Sequence, residues 1–354
     1  MERKTYCDYL RIMAIFSVVV IHVSALHWYN TDVNGIQWQA FNFYDSVCRW
    51  GVPIFVMISG SLFLNRDISI KKIYSKYILR MITAFFVWTN FYALVRKDTI
   101  KKGIIFGIKT HLHEIASGHY HMYFIFMIIG LYMCIPFYKK IVEDRLIMKY
   151  FLLLSFLCTS LFPWIIQLIN DYAADSNEFI AKAIDVIKSN MSQMSLYMVL
   201  GYSFYFILGY YLDNIELNTN QRTIIYILGI IGFIFTVSVN LNVALKMQKV
   251  CDNYYGYFNV NVVCETICIH TLLKYHNYKS DRLNSFMTRV SDYIFGVYLI
   301  HAFFIDHFFA FLKFDTLSFN AFISVPVISI IVSVCSLLVS AIINHLPFIN
   351  RYIV

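Results

Sequence analysis

The chain has 354 residues, of which 59% are hydrophobic and only 14% charged, with a formal net charge of +8. Soluble domains carry about 25% charged residues, and a water-soluble core of this length cannot hide so much apolar side chain, so the solvent must be lipid. The same composition excludes a disordered chain. The positive charge lies in short loops, where it marks topology and gives no ground for a nucleic-acid partner.

A membrane-crossing helix needs about 20 mostly apolar residues. In chain order, ten stretches qualify: 9–27, 41–64, 78–95, 121–138, 150–169, 194–212, 223–243, 257–275, 290–311 and 321–345. The first follows directly on Met1-Glu-Arg-Lys4. It is too long for a signal h-region and lacks a cleavage site, so it reads as a retained span. The longest loops, near 96–120 and 170–193, are short for a domain, and 1–354 is read as a single one. No internal repeat is visible, so an inverted-repeat transporter gains no support. The expected fold is all-α, a polytopic membrane bundle of about ten helices.

Lys and Arg set the orientation. With the N-terminus inside, 18 of the 29 basic side chains fall on the cytoplasmic side and 10 on the outer side, Arg49 lying within a span. That bias places both termini in the cytoplasm. The loop after the third span departs from it, with Arg96, Lys97, Lys101, Lys102 and Lys109 on the outer side. A re-entrant or interfacial segment would account for that departure.

An ionisable group at mid-membrane costs about 2.5–3.5 kcal/mol on insertion scales, so each is a functional candidate. Arg11 and His22 are eleven residues apart in the first span. At about 100° per residue they share a helix face, separated along the axis by about 16 Å. A guanidinium at the inner mouth suits an anion, and an imidazole deeper in the helix suits a general base or nucleophile. Spacing alone equally allows a snorkelling anchor and a hydrogen-bonded interfacial histidine.

Asp45 and Arg49 are four apart in span two and can pair on one face. Alternatively, Arg49 faces a polar cavity shared with His22. Pro53 frees a backbone carbonyl, and Ser59-Gly60 permits close helix approach. His121, beside His119, opens span four on the same side of the membrane as His22. Glu265 lies in span eight. Tyr298 and His301 lie in span nine, with Asp306 and His307 further out. Cys264 and Cys268 share a helix face near Glu265 and His270. A metal site would need more ligands at coordinating spacing, so these read as packing and no metal is expected.

Together these segments resemble the acyltransferase-3 family of integral membrane acyltransferases. Tyr6-Cys-Asp-Tyr-Leu-Arg11 through His22 resembles the family's opening. Val52-Pro53-Ile-Phe55-Val-Met57-Ile-Ser59-Gly60 resembles its V-P-L-F-F-M-I-S-G stretch. Tyr120-His121-Met-Tyr-Phe124 and Gly130-Leu-Tyr132-Met-Cys-Ile-Pro136 resemble its H-L-W-F helix start and continuation. Leu208-Gly-Tyr-Tyr-Leu212 and Phe295-Gly-Val-Tyr298-Leu-Ile-His301 resemble late-chain motifs. The likeness covers nearly the whole chain. It is closest to stand-alone members that O-acetylate bacterial glycans, of the enterobacterial common antigen type.

The resemblance implies an O-acyltransferase in the cell (inner) membrane, with cytosolic acyl-CoA, usually acetyl-CoA, as co-substrate and no bound cofactor. It implies a saccharide or lipid-linked saccharide acceptor. Arg11 and His22 become the catalytic pair by carry-over. Ser59, Arg49, Arg80, His121, Glu265, Tyr298 and His301 become donor- or substrate-binding candidates. One departure is Tyr77, which stands where many members have the first arginine of R-x-x-R. Lys76 beside it can offer a point charge without the bidentate fork. An exporter or flippase of lipid-linked saccharide is the competing reading, with the charged residues lining its path. The sequence is silent on oligomeric state.

Overall fold

The computed structural model describes residues 3–95, 118–173, 178–196 and 199–346. Among them every regular element is helical, with no strand. Six helices are long and apolar enough to cross a membrane: Thr5–Asn30, Ile36–Leu64, Ile70–Val95, Arg145–Tyr172, Thr219–Met247 and Ala321–His345. A seventh is counted if the pair Tyr120–Met133 and Ile135–Glu143, bent by 54°, is one span. Pro136 stands at the bend, where its ring removes a backbone donor and the ladder cannot run through.

Three stretches expected to cross hold shorter helices: Ser203–Asn214, Val260–Lys274 and Ile294–His307. The 12 residues of Ser203–Asn214 reach only about 18 Å, against a hydrocarbon layer of about 30 Å. That helix starts late because Gly201 adopts a left-handed φ of 87°. Hydropathy counts apolar residues and does not register such breaks. The segment 170–193, read as a loop, instead includes a helix over Glu178–Gln193. The basic run from Arg96 to Lys109 lies outside the described residues.

The elements that build the site are α1 (Thr5–Ser24), α2 (Ile36–Cys48), α3 (Gly51–Leu64), α4 (Leu79–Val95), α5 (Tyr123–Met133), α6 (Ser203–Asn214), α7 (Thr219–Met247), α8 (Val260–Lys274), α9 (Asp281–Asp292), α10 (Ile294–Phe303) and α11 (Ala321–His345). α2 and α3 form one span broken at Arg49-Trp50. Pro53 has no N–H to give the Arg49 carbonyl, so the helix restarts there. α1 is the axis of the bundle, packed against α2, α3, α8, α9, α10 and α11. One apolar cluster gathers around Trp38, Phe41 and Leu299, the other around Leu10, Met57 and Phe206.

In lipid, helix association rests on close packing, because the tails are as apolar as leucine. α3 and α6 meet at backbone contact. A Cβ on Gly60 would lie 1.7 Å from the Phe206 carbonyl oxygen, and one on Gly209 would lie 2.1 Å from that of Met57. These are the glycines of the V-P-I-F and Leu208-Gly segments, so both motifs serve one contact. α7 turns Gly229, Gly232, Thr236 and Asn240 inward. It leaves Ile227, Ile230, Ile231 and Ile234 exposed, the pattern of a helix facing lipid.

Candidate active site

α1 carries a stripe of cavity-lining side chains. Asp8, Arg11, Val18 and His22 follow at steps of three, seven and four residues, which stack on one helix face. α3 answers with Val52, Phe55, Ser59 and Leu62, and Arg66 just past its end. Between the stripes runs a cavity of about 530 Å³. Its other walls are Arg80 of α4, His121 ahead of α5, Tyr123, Phe124 and Tyr132 of α5, Tyr257, and Ser291, Asp292, Phe295 and Tyr298 from α9 and α10.

The cavity has two chemical ends. Near the start of α1 its wall holds, among the described residues, Arg3, Lys4, Arg11, Arg66 and Arg80 against two carboxylates, Asp8 and Asp292. Asp8 is the anchor of this mouth. It accepts from Arg3 Nε at 2.8 Å, Arg11 Nη1 at 2.9 Å, Ser291 Oγ at 2.9 Å and Thr288 Oγ1 at 3.1 Å. Such charge-assisted bonds fix a guanidinium in orientation as well as position. One edge of Arg11 is thus committed to Asp8, while its side chain stays 26% exposed and borders the cavity.

At the other end sit imidazoles. The His22 ring lies 5.3 Å from that of His301 and 5.1 Å from the Tyr120 ring, centroid to centroid. His121 lies 5.0 Å from His301. Its Nδ1 is 3.0 Å from Nδ1 of His119, whose Nε2 is 3.3 Å from an Asp306 carboxylate oxygen. Tyr298 donates its hydroxyl to the His121 carbonyl at 2.8 Å and so holds that turn against α10.

Of the candidates read from sequence, Arg11, His22, Ser59, Arg80, His121 and Tyr298 all border this cavity. The Ser59 hydroxyl donates to the Phe55 carbonyl at 2.9 Å. His301 stands behind the wall, fully buried, touching both His22 and His121. Arg49 is not on the wall. It makes the i, i+4 pair with Asp45 at 2.6 Å, and its guanidinium covers the Tyr255 ring at 4.3 Å. Glu265 is also elsewhere, accepting from Thr236 Oγ1 at 2.5 Å as a tie between α8 and α7.

Lys76 does not border the cavity. Its ammonium sits 5.7 Å over the Tyr77 ring. Three further cations border the cavity, Arg3, Lys4 and Arg66. In the sequence they count only toward the positive-inside bias, although Arg66 continues the 52-55-59-62 ladder of α3. Asp8 was missed as well, although it stands one turn before Arg11 on the same face.

A family model described as an acyltransferase domain matches residues 4–345. The apolar helical bundle, with bases grouped above a cationic mouth, is therefore a membrane acyltransferase. The chain belongs to the acyltransferase-3 family. No curated protein and no solved structure matches it.

Proposed function

We propose that the chain moves an acetyl group from acetyl-CoA, at the cytoplasmic face of the cell (inner) membrane, to a hydroxyl of a cell-surface saccharide or its lipid-linked precursor. The observation that carries this reading is that Arg11 and His22 border one cavity, cationic at one end and imidazole-lined at the other. In this reading the chain crosses ten times, short helices included, with both termini cytoplasmic. The distribution of Lys and Arg supports that orientation.

The phosphates of CoA rest on Arg11, Arg66 and Arg80, whose planar forks suit phosphate oxygens. The thin pantetheine arm follows the groove between α1 and α3 and brings the thioester to His22. The acceptor oxygen attacks the thioester carbonyl as His22 takes its proton. His121 orients the acceptor, and the faces of Tyr123 and Tyr257 suit the apolar faces of a sugar ring.

The test is labelled acetyl-CoA added to membranes with and without the chain, followed by tracing of the label. Label in saccharide or lipid-linked saccharide, lost in His22→Ala, is the expected result. Full transfer by His22→Ala would refute it. Saccharide crossing the membrane without any need for acetyl-CoA would point to a flippase instead.

A further inference from the structure

His301 does not border the cavity, yet it touches both histidines that do. Its Nδ1 lies 2.7 Å from the Tyr298 carbonyl oxygen and 3.2 Å from that of Val297. Carbonyl oxygens only accept, so Nδ1 must carry the proton. In the neutral ring Nε2 is then a bare lone pair. It is buried and has no hydrogen-bond partner among the described residues. The helix thus fixes the tautomer and leaves a base with nothing to accept, beside His22.

We propose that His301 is the proton relay behind His22. This rests on the acyl-transfer reading and adds a step to it. The acceptor oxygen forms its bond to the thioester carbonyl carbon and releases its proton to the ring nitrogen of His22 that faces the cavity. The two rings, 5.3 Å apart centroid to centroid, are not hydrogen-bonded at rest, so a turn of the His22 ring must first bring its other nitrogen within hydrogen-bond distance. That nitrogen then passes its own proton to Nε2 of His301. The C–S bond then breaks, and the proton returns through His22 to the sulfur, so ester and free CoA thiol leave in balance. While charged, His301 keeps its Nδ1–H on the Tyr298 and Val297 carbonyl oxygens. His301 touches no substrate and acts only through His22, so it is a positioning and relay residue.

The groups that face this pair set its pH response. His22 is faced by Tyr120, His119 and, from the α2–α3 junction, the charge of Arg49. His301 is faced by His121 and Tyr298. Asp306 bears on the cluster through His119.

The experiment uses the full chain, in membranes for activity and purified with 15N-labelled histidine for NMR. His301→Ala is expected to lower kcat by about a hundredfold or more at unchanged KM for acetyl-CoA. Added imidazole should restore part of the loss, more so at pH values where imidazole is neutral. His301→Gln can donate to the carbonyls but cannot take a proton, and it should stay low. Wild-type rates in His301→Gln, or a folded His301→Ala that imidazole does not rescue, overturn the relay. In the NMR titration the ring nitrogens of His22 should respond to two protonation events in the native protein and to one in His301→Gln. An unchanged His22 titration also overturns it. If the coupling is present but native membranes transfer no acetyl group, the acyl-transfer reading fails and the pairing of the two rings stands.

Discussion

Arg11 and His22 stand on one face of α1 and border the same cavity, the first tied to Asp8 at 2.9 Å, the second 5.3 Å from the His301 ring. In the proposed reaction Arg11 serves donor binding and His22 the chemistry, so their substitutions should separate in kinetics.

Arg11→Ala removes charge-assisted bonds of about 1.5–3 kcal/mol, so KM for acetyl-CoA should rise roughly ten- to hundredfold. Arg11→Lys should fall between, since it keeps the charge and loses the fork. His22→Gln should leave that KM near its native value and lower kcat by about 10²–10⁴. Initial rates over a range of acetyl-CoA concentrations read both effects. A His22 variant that lost only donor affinity would contradict the division.

Charge reversal at the mouth should discriminate donors by their phosphates. Arg66→Glu and Arg80→Glu should weaken use of acetyl-CoA and spare a phosphate-free acetyl thioester of N-acetylcysteamine. Added salt should likewise reduce the acetyl-CoA rate more, because screening acts on exposed charges. Equal losses with both donors would mean that these arginines support the fold and not the nucleotide.

The α3–α6 contact leaves no room for a side chain. Gly60→Val should cost about 1–3 kcal/mol by overpacking and lower the melting temperature in detergent. Gly130 is the control, because a Cβ there meets nothing within 4 Å. Gly130→Ala should match or slightly exceed native stability. Equal stability of Gly60→Val and the native chain would contradict the backbone contact.

Arg49 and Asp45 form a buried pair away from the cavity wall, with side chains 17% and 3% exposed. Arg49→Ala strands the carboxylate and should cost about 3–5 kcal/mol, seen as low folded yield. The double variant Asp45→Ala/Arg49→Ala should recover much of that yield. If Arg49→Ala folds normally and only slows transfer, Arg49 acts in the site.

These residues show what the sequence made legible. Periodicity alone put Arg11 with His22, and Asp45 with Arg49, because the first pair shares α1 and Arg49 caps α2 one turn beyond Asp45. The small Ser59-Gly60 step foretold a close neighbour but not which helix. What escaped depends on contacts between distant segments. The Thr288 and Ser291 bonds to Asp8 span 280 and 283 residues of chain. The tautomer of His301 depends on carbonyls whose direction no spacing reveals. Helix breaks at Gly201 and Pro136 lowered the number of long spans, because hydropathy records what a segment dissolves in and not where its ladder stops.

In the proposed reaction one passage joins the cationic mouth to His22. Val18 lies on that passage, between Arg11 and His22 on the same face of α1. The most direct test is Val18→Phe, with CoA binding by equilibrium dialysis and acetyl transfer from labelled acetyl-CoA measured on the same folded preparation. CoA affinity should stay within about threefold of native while transfer falls to background. Native transfer through the narrowed passage would contradict the proposed route.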